Sequence, residues 1–190
     1  MIGGLVLAAG AGTRFGATKQ LAELDGRPLL EHVLRVVAAA ALDRRVVVLG
    51  AGAEEILAAL DLHGAEPVVC ERWEEGQSAS LACGLSRLRD AEAALVVLGD
   101  QPRVSPEAIR RVIASRGEGA AAVRATYDGR PGHPVLLERE LVRRLRDVTG
   151  DLGARNLLES ARVREVACDD LGGGEDVDTL AQLEALRGTI

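Results

Sequence analysis

Two short runs of the chain are apolar without interruption, and they limit the possible folds more than any other feature. Residues 46–49 read Val-Val-Val-Leu and residues 95–98 read Leu-Val-Val-Leu. A strand with one face in water alternates apolar and polar residues, whereas a parallel strand covered by helices on both faces is apolar throughout. Longer segments of helical periodicity lie between such runs. The sequence therefore predicts an α/β fold of three layers, with helices doubly wound around a mainly parallel sheet.

The predicted elements alternate along the chain. Strands are expected at residues 3–8, 45–49, 66–69, 94–98, 120–125, 134–137 and 163–167. Helices are expected at residues 28–41, 53–60, 78–88, 106–115, 140–148, 154–161 and 179–186. Ser105 before Pro106 is typical of a helix start, and Asp178 is expected to cap the last helix in the same way. Because the only linker-like stretch, residues 172–174, lies near the C-terminus, we expect residues 1–190 to form one domain.

Composition excludes several classes of protein. Hydrophobic residues make up 47% of the chain and charged residues 27%, which is the balance of a globular protein. The net charge of −6 and the lack of a basic run argue against nucleic acid as a partner. Residues 2–9 have no basic leader and no window reaches the length of a membrane span, so we expect a cytoplasmic protein without membrane contact. Three cysteines without CxxC spacing predict neither disulfides nor a zinc site. The aromatic content of 2% predicts that no aromatic side chain is available to stack on a bound base.

A glycine-rich loop at residues 7–19 follows the first predicted strand and has three interpretations as a phosphate-binding site. A Walker A loop requires glycine where this chain has Phe15, and no lysine follows Gly16. The dinucleotide fingerprint GxGxxG is replaced by GxGxxxG, and no acidic residue ends the second strand, although Glu54 offers a substitute. These departures leave a cradle for a nucleoside triphosphate as the favoured interpretation.

The residues of the loop suit a triphosphate. Gly10 and Gly12 lack a Cβ atom, which lets backbone N–H groups approach phosphates closely. Arg14 and Lys19 add two cations, which offset the negative charge that builds on an α-phosphate and a leaving pyrophosphate during nucleotidyl transfer. A tight turn with two solvated cations is the alternative that needs no ligand.

The loop resembles the LAAGxSxRxGxxK signature of the nucleotidyltransferases that modify the molybdenum cofactor, with Gly12 where that family often has serine. Matching motifs continue over nearly the whole chain, at residues 72–73 (Arg-Trp), 76–81 (Gly-Gln-Ser-Ala-Ser-Leu), 99–102 (Gly-Asp-Gln-Pro), 132–134 (Gly-His-Pro), 150–155 (Gly-Asp-Leu-Gly-Ala-Arg) and 176–179 (Asp-Val-Asp-Thr). The chain looks most like molybdenum cofactor cytidylyltransferases, which join CMP from CTP to the phosphate of molybdopterin and release pyrophosphate. The resemblance implies a Rossmann-like nucleotidyltransferase fold, Mg²⁺ as cofactor, CTP and a phosphorylated pterin as substrates, and a transient contact with a molybdoenzyme or its chaperone.

The resemblance also implies roles for individual residues. Arg14 and Lys19 would be catalytic, and His133 and Arg155 would contact the acceptor. Nucleotide binding would involve Leu7, Ala8, Ala9, Gly10, Ala11, Gly12, Gln77, Ser78 and Ser80. Ordinary helix capping by the two serines and a surface salt bridge of Arg155 are the alternatives that need no substrate.

Two carboxylates are expected to hold Mg²⁺. Asp100 follows an apolar strand through Gly99, so it should project at the carboxyl end of the sheet, where open α/β sheets bind ligands. Because Mg²⁺ in proteins takes one or two carboxylates together with phosphates and water, a second ligand is expected. A resemblance to sugar nucleotidyltransferases indicates Asp178, with Asp176 in reserve. The alternatives are a turn cap for Asp100 and a helix cap for Asp178.

Ala9 predicts the choice of base. Guanylyltransferases of the family tend to read LAGG at this point, whereas this chain reads LAAG, and the extra methyl group should crowd a purine while admitting a pyrimidine. CTP is therefore expected over GTP. A guanylyltransferase remains an alternative, as do an NAD(P)H-dependent oxidoreductase like nicotine blue oxidoreductase, which resembles this family, and a non-catalytic nucleotide sensor or cofactor chaperone. The presence of Arg14, Lys19 and Asp100 favours transfer chemistry over hydride transfer.

Overall fold

The computed structural model describes residues 1–147 and 151–187, without the side chains of residues 151–155. Within these residues the strands are β1 (Ile2–Ala8), β2 (Glu23–Leu24), β3 (Arg27–Pro28), β4 (Arg44–Leu49), β5 (Glu66–Val69), β6 (Ala93–Leu98), β7 (Ala122–Tyr127), β8 (Arg130–Glu138) and β9 (Val163–Ala167). The helices are α1 (Leu29–Ala39), α2 (Ala53–Ala59), α3 (Gln77–Leu85), α4 (Pro106–Ala114), α5 (Arg139–Asp147), α6 (Asp151–Ser160) and α7 (Leu180–Leu186). None of these described helices is long and apolar enough to cross a membrane.

One large sheet contains seven of the strands, in the order β5-β4-β1-β6-β8-β7-β9. β1 pairs in parallel with β4 and β6, and β4 pairs in parallel with β5. β8 is antiparallel to both β6 and β7, whereas β7 and β9 are parallel. The predicted mainly parallel sheet is therefore confirmed. Its carboxyl edge brings the ends of β1 and β6 side by side, since Leu7 is in register with Leu98.

Side chains of β1 alternate between two apolar cores, one on each face of the sheet. Val6 and Ala8 belong to a cluster that includes Leu34 of α1 and residues of α2 and α4. Leu5 and Leu7 belong to a second cluster, which includes residues of α3 and α5. The interior residues of β4 and β6 divide between the same two clusters, and this explains why both strands are apolar throughout. The three-layer arrangement predicted from the sequence is confirmed.

Two tight hairpins correct the predicted element boundaries. β8 begins at Arg130, ahead of the predicted strand start at residue 134, because the chain turns back from β7 through Asp128 and Gly129. Both turn residues have positive φ angles, 50° and 69°, which is the conformation of the commonest two-residue hairpin turn. The chain uses a second Asp-Gly pair, residues 25–26, to join the short strands β2 and β3. The predicted start of α1 is therefore one residue early, since Pro28 ends β3.

Of the two N-caps predicted from the sequence, Ser105 is confirmed and Asp178 is not. The Ser105 hydroxyl accepts a hydrogen bond of 3.1 Å from the backbone N–H of Glu107, with Pro106 as the first residue of α4. The predicted cap by Asp178 is wrong, because the Thr179 hydroxyl accepts from the backbone N–H of Gln182 and α7 begins one residue later. The Asp178 carboxylate consequently has no part in capping.

Candidate functional site

A cavity of about 400 Å³ opens at the carboxyl edge of the sheet, where β1 and β6 end. We call it the nucleotide cavity. It is lined by Leu7, Ala8, Ala9, Gly10, Gly12, Thr13, Arg14, Lys19, Gln20, Leu29, Trp73, Glu74, Gly76, Gln77, Ser80, Leu98, Gly99, Asp100 and Asp178. Apart from Ala11 and Ser78, every residue that the sequence suggested for the nucleotide or the metal, other than the reserve Asp176, lines this cavity. The fold thus gathers residues from distant parts of the chain around one opening.

The glycine loop is held in shape by Gln20, a residue that the sequence analysis did not single out. The buried Gln20 amide donates to the backbone oxygens of Ala8 and Gly10, at 2.8 and 2.9 Å. Gly12 has a φ of 58°, and a Cβ atom at this position would lie 2.9 Å from the Cβ of Lys19. A side chain at Gly12 would therefore be strained and would press on Lys19. The only signal for Gln20 in the sequence is its position directly after Lys19.

Lys19 joins the two predicted metal ligands. Its buried ammonium group donates to Asp100 Oδ2 at 2.8 Å and to Asp178 Oδ1 at 3.0 Å. Arg14 donates to the second oxygen of Asp178, also at 3.0 Å. Although burial by itself would lower the pKa of Lys19, hydrogen bonds and charge from Asp100 and Asp178 raise it above its ordinary value. The hydrogen bond from Lys19, helped by the charge of Arg14, lowers the pKa of Asp178. Lys19 and Asp178 are therefore both ionised at neutral pH.

The oxygen atoms of this cluster fit a hard divalent cation. Asp100 and Asp178 already converge on one positive charge, and the buried Asp100 Oδ1 has no hydrogen-bond partner among the described residues. Within the described part of the chain there is no group of three or more His, Cys, Asp and Glu side chains that could hold a metal by itself. Two carboxylates are what Mg²⁺ uses when phosphates and water complete its coordination.

Asp176, the reserve ligand, points elsewhere. Its carboxylate accepts a hydrogen bond of 2.7 Å from the Gln101 amide, and it does not line the nucleotide cavity. Burial, reinforced by the nearby charges of Asp100 and Asp178, raises the pKa of Asp176, and the Gln101 hydrogen bond opposes this shift. The structure therefore distinguishes the two C-terminal carboxylates, since only Asp178 contacts the cations of the glycine loop.

Ser78 and Ser80 face different cavities. Both are buried in α3, whose N-cap residue is Gly76, so neither serine occupies the N-cap position. The capping alternative for the two serines is therefore wrong. Ser80 lines the nucleotide cavity, whereas Ser78 lines a second cavity next to it. The predicted pair is thus split between two cavities.

Trp73 corrects the expectation that no aromatic residue is available to a base. The indole lines the nucleotide cavity, and it packs on Gly50, where an added Cβ would lie 2.6 Å from Trp73 Cγ and 2.5 Å from the oxygen of Ala9. Only glycine at position 50 lets the tryptophan approach the end of β1 this closely. Composition could not predict this, because a single aromatic ring in the right place is enough to line a cavity.

The second cavity, of about 460 Å³, lies beside the first and shares Leu7 and Gln77 with it. We call it the acceptor cavity. Its walls come from β6, β7, β8 and α3, and they carry His133, the predicted acceptor residue. The Tyr127 hydroxyl donates to the backbone oxygen of His133 at 2.9 Å and so fixes this turn of the chain. The side chain of Arg155, the other predicted acceptor residue, lies outside the described residues.

The acceptor cavity has two charged lining residues, Arg124 and Glu159, and the sequence analysis missed both. Burial lowers the pKa of His133 to about 4, against the opposing charge of Asp100, so its imidazole is neutral at pH 7. Arg124 is the only lysine or arginine among the described residues that line the cavity. Its guanidinium is paired with Glu165 at 2.6 Å and remains one-third exposed. An anionic group entering this cavity would therefore meet Arg124, which is already paired with Glu165, together with the carboxylate of Glu159 and the neutral imidazole of His133.

The chain is similar to known proteins in both sequence and overall fold. A family model described as the MobA-like NTP transferase domain matches residues 4–166, a range that ends before Asp178. Nicotine blue oxidoreductase of Paenarthrobacter nicotinovorans is 33% identical over 96% of this chain and 95% of its own length. The crystal structure of Rv0371c from Mycobacterium tuberculosis H37Rv has a TM-score of 0.87 and 36% identity, covering 97% of this chain and 96% of that one. A complex of Rv0371c with manganese has a TM-score of 0.84 and 33% identity, covering 100% and 99%.

Proposed function

Because the chain belongs to the MobA-like NTP transferase family, we propose that it transfers CMP from CTP to the phosphate of molybdopterin and releases pyrophosphate. Nucleotidyl transfer is the activity of this family. The observation that supports it most in this chain is the ion cluster of Lys19 with Asp100 and Asp178 at the mouth of the glycine loop. Hydride transfer has no use for such a cluster, whereas transfer to a phosphate requires charge compensation.

The groups of the nucleotide cavity suggest how the triphosphate is held. Backbone N–H groups of residues 10–12 would approach the phosphates, and Gln20 keeps this backbone in place. Arg14 and the ionised Lys19 would stabilise negative charge on the α-phosphate and on the departing pyrophosphate. Asp100 and Asp178 would hold Mg²⁺, which neutralises phosphate charge when bound. The manganese complex of Rv0371c is consistent with a divalent ion in this fold.

Contacts in the second cavity support a phosphorylated acceptor. The two cavities meet at Leu7 and Gln77, so an acceptor bound next to His133 would lie beside the triphosphate. Arg124 would attract the acceptor phosphate, and the neutral His133 would position it by a hydrogen bond. No protein base is needed, because positioning and charge stabilisation supply most of the catalysis in transfer between phosphates.

Pyrophosphate release tests the proposal directly. The chain is incubated with Mg²⁺ and each nucleoside triphosphate in turn, with and without molybdopterin. We expect release only with both substrates present and fastest with CTP. The Asp100→Asn variant, which keeps the shape of the side chain but loses its charge, serves as the control and should release almost none. Rapid release with GTP but not CTP would contradict the proposed base, and no molybdopterin dependence would contradict the acceptor.

One observation favours a second candidate function. The similarity to nicotine blue oxidoreductase extends over almost the full length of both chains. Under that function NAD(P)H would occupy the two adjoining cavities and reduce a coloured substrate. Incubating the chain with NADPH or NADH and an electron-accepting dye distinguishes the candidates: oxidation of the nicotinamide that survives Asp100→Asn would favour the oxidoreductase.

A further inference from the structure

Asp178 reaches the site from the segment before α7, beyond the residues that match the family model. Its distance from Lys19 along the chain is 159 residues, so local sequence cannot place it there. The contacts that hold residues 174–178 must therefore decide whether Asp178 meets Asp100. We call these residues the carboxylate segment.

Gln101 makes two of the hydrogen bonds that hold this segment. Its side chain is 3% exposed, and its amide nitrogen donates to Asp176 Oδ1 at 2.7 Å and to the oxygen of Gly174 at 3.4 Å. Beside it the backbone N–H of Val177 donates to the oxygen of Asp100 at 2.9 Å, and Val177 itself is fully buried. Gln101, the residue directly after Asp100, thus helps to hold the segment that carries Asp178 to the site.

We infer that Gln101 and Asp176 form a clasp that positions Asp178 for cation binding, and that Asp176 acts through this hydrogen bond and not as a metal ligand. The inference rests on the cation site of the proposed function. Gln101 is an uncharged donor, so it can bind the Asp176 carboxylate and leave Lys19 as the donor to Asp178. If Gln101 lost its amide, the Asp176 carboxylate would lose its side-chain donor while the like charges of Asp100 and Asp178 remain close by, and the segment would be pushed outward.

Affinity for Mn²⁺ separates a positioning role from a ligand role. The dissociation constant of Mn²⁺ alone is measured by loss of the free-ion paramagnetic resonance signal. Asp178→Asn should weaken binding, since a ligand is lost. Gln101→Leu and Asp176→Leu should each weaken it by about 10- to 100-fold, as loss of a group that orients a ligand does. Asp176→Asn keeps an oxygen that accepts from Gln101, so its affinity should stay close to that of the parent chain.

Two further variants test whether the clasp acts as a unit. Gln101→Leu combined with Asp176→Leu should bind Mn²⁺ no more weakly than either single variant, because both remove the same hydrogen bond. Glu138→Leu is the matched control: it removes a half-buried carboxylate, paired with Arg116 at 2.7 Å, at the opposite end of β6. Its Mn²⁺ affinity should not change. Circular dichroism checks that each variant folds, and if Gln101→Leu does not, the two Asp176 variants still decide.

Each result has a defined meaning. Equal losses for Asp176→Asn and Asp178→Asn would make Asp176 a ligand and overturn the inference, as would unchanged affinity in Gln101→Leu or no Mn²⁺ binding by the parent chain. In the transfer assay, excess Mn²⁺ should restore kcat in Gln101→Leu but not in Asp178→Asn. If the Mn²⁺ series behaves as expected while CTP and molybdopterin yield no pyrophosphate, the clasp stands and the proposed reaction is wrong.

Discussion

Ala9 is buried at the end of β1 and lines the nucleotide cavity together with Trp73 and Ser80. The methyl group of Ala9 reduces the room for a base against this wall. We expect Ala9→Gly to lower the preference for CTP over GTP, measured as the ratio of kcat/KM values. One methyl group in a pocket changes selectivity by roughly 10- to 200-fold. Ala9→Gly should therefore lower the CTP/GTP ratio of kcat/KM values by a factor in that range.

The measurement needs both nucleotides in both proteins. Ala9→Gly should improve GTP turnover more than it harms CTP turnover, because glycine adds space without removing a hydrogen bond. A parent chain that already prefers GTP would show that Ala9 does not select the base.

His133 should make the free energy of unfolding decrease at acidic pH. Burial lowers its pKa from 6.5 to about 4, so between these values the unfolded chain binds a proton that the folded chain does not. The free energy of unfolding should therefore fall as the pH drops from 6.5 to 4, by about 3 kcal/mol from this residue, and be unaffected by it above 6.5. Urea unfolding of the parent chain and of His133→Gln at pH 7 and pH 4 checks this. Parallel losses in the two proteins would mean that the imidazole titrates normally.

At the scale of elements, the packing of α3 on the sheet depends on Gly84. A Cβ atom on Gly84 would lie 2.3 Å from Leu5 Cδ1 and 2.6 Å from Val48 Cγ2. Alanine is favoured over glycine in a helix by about 1 kcal/mol, whereas overpacking a core costs about 1–3 kcal/mol. We therefore expect Gly84→Ala to lower the free energy of unfolding by up to about 2 kcal/mol, measured in urea.

The same substitution should also affect the site, because α3 carries Gln77 and Ser80 into the nucleotide cavity. An outward shift of α3 caused by the added carbon should raise the KM for CTP. Cys83→Ala on the same helix is the control, since Cys83 is only half-buried and should cost less than about 1 kcal/mol. Equal stability of the two variants would mean that the helix tolerates the extra carbon.

For the whole molecule, the site lies where distant parts of the chain meet, so ligand binding should stabilise the entire fold. Lys19, Asp100 and Asp178 come from the beginning, middle and end of the chain. At a free CTP concentration of 100 times its dissociation constant, binding adds about 2.7 kcal/mol to the stability, which corresponds to a rise in Tm of roughly 5–10 °C. Thermal unfolding with Mg²⁺ alone, CTP alone and both together tests this. Only the combination should give the full shift, and Asp100→Asn should lose most of it.

The sequence by itself determined the features that depend on local residues. Uninterrupted apolar strands require cover on both faces, glycines permit the close loop after β1, and Asp100 follows β6 after a single glycine, so each could be predicted without knowing the fold. Each of the two hairpin turns is an Asp-Gly pair, a local signal that was overlooked beside the longer apolar patterns. The division of Ser78 from Ser80 likewise follows from helical geometry, since residues two apart on a helix point in different directions.

Tertiary structure alone decided which of these groups meet. Asp178 could be suggested only by resemblance, and its distinction from Asp176 depends on Gln101 and Lys19, which lie far away along the chain. Trp73 became part of the nucleotide cavity because β4 places Gly50 against it, and Arg124 entered the acceptor cavity because β7 pairs with β8. The physical reason is that local sequence sets backbone conformation, whereas the meeting of side chains depends on how distant segments pack.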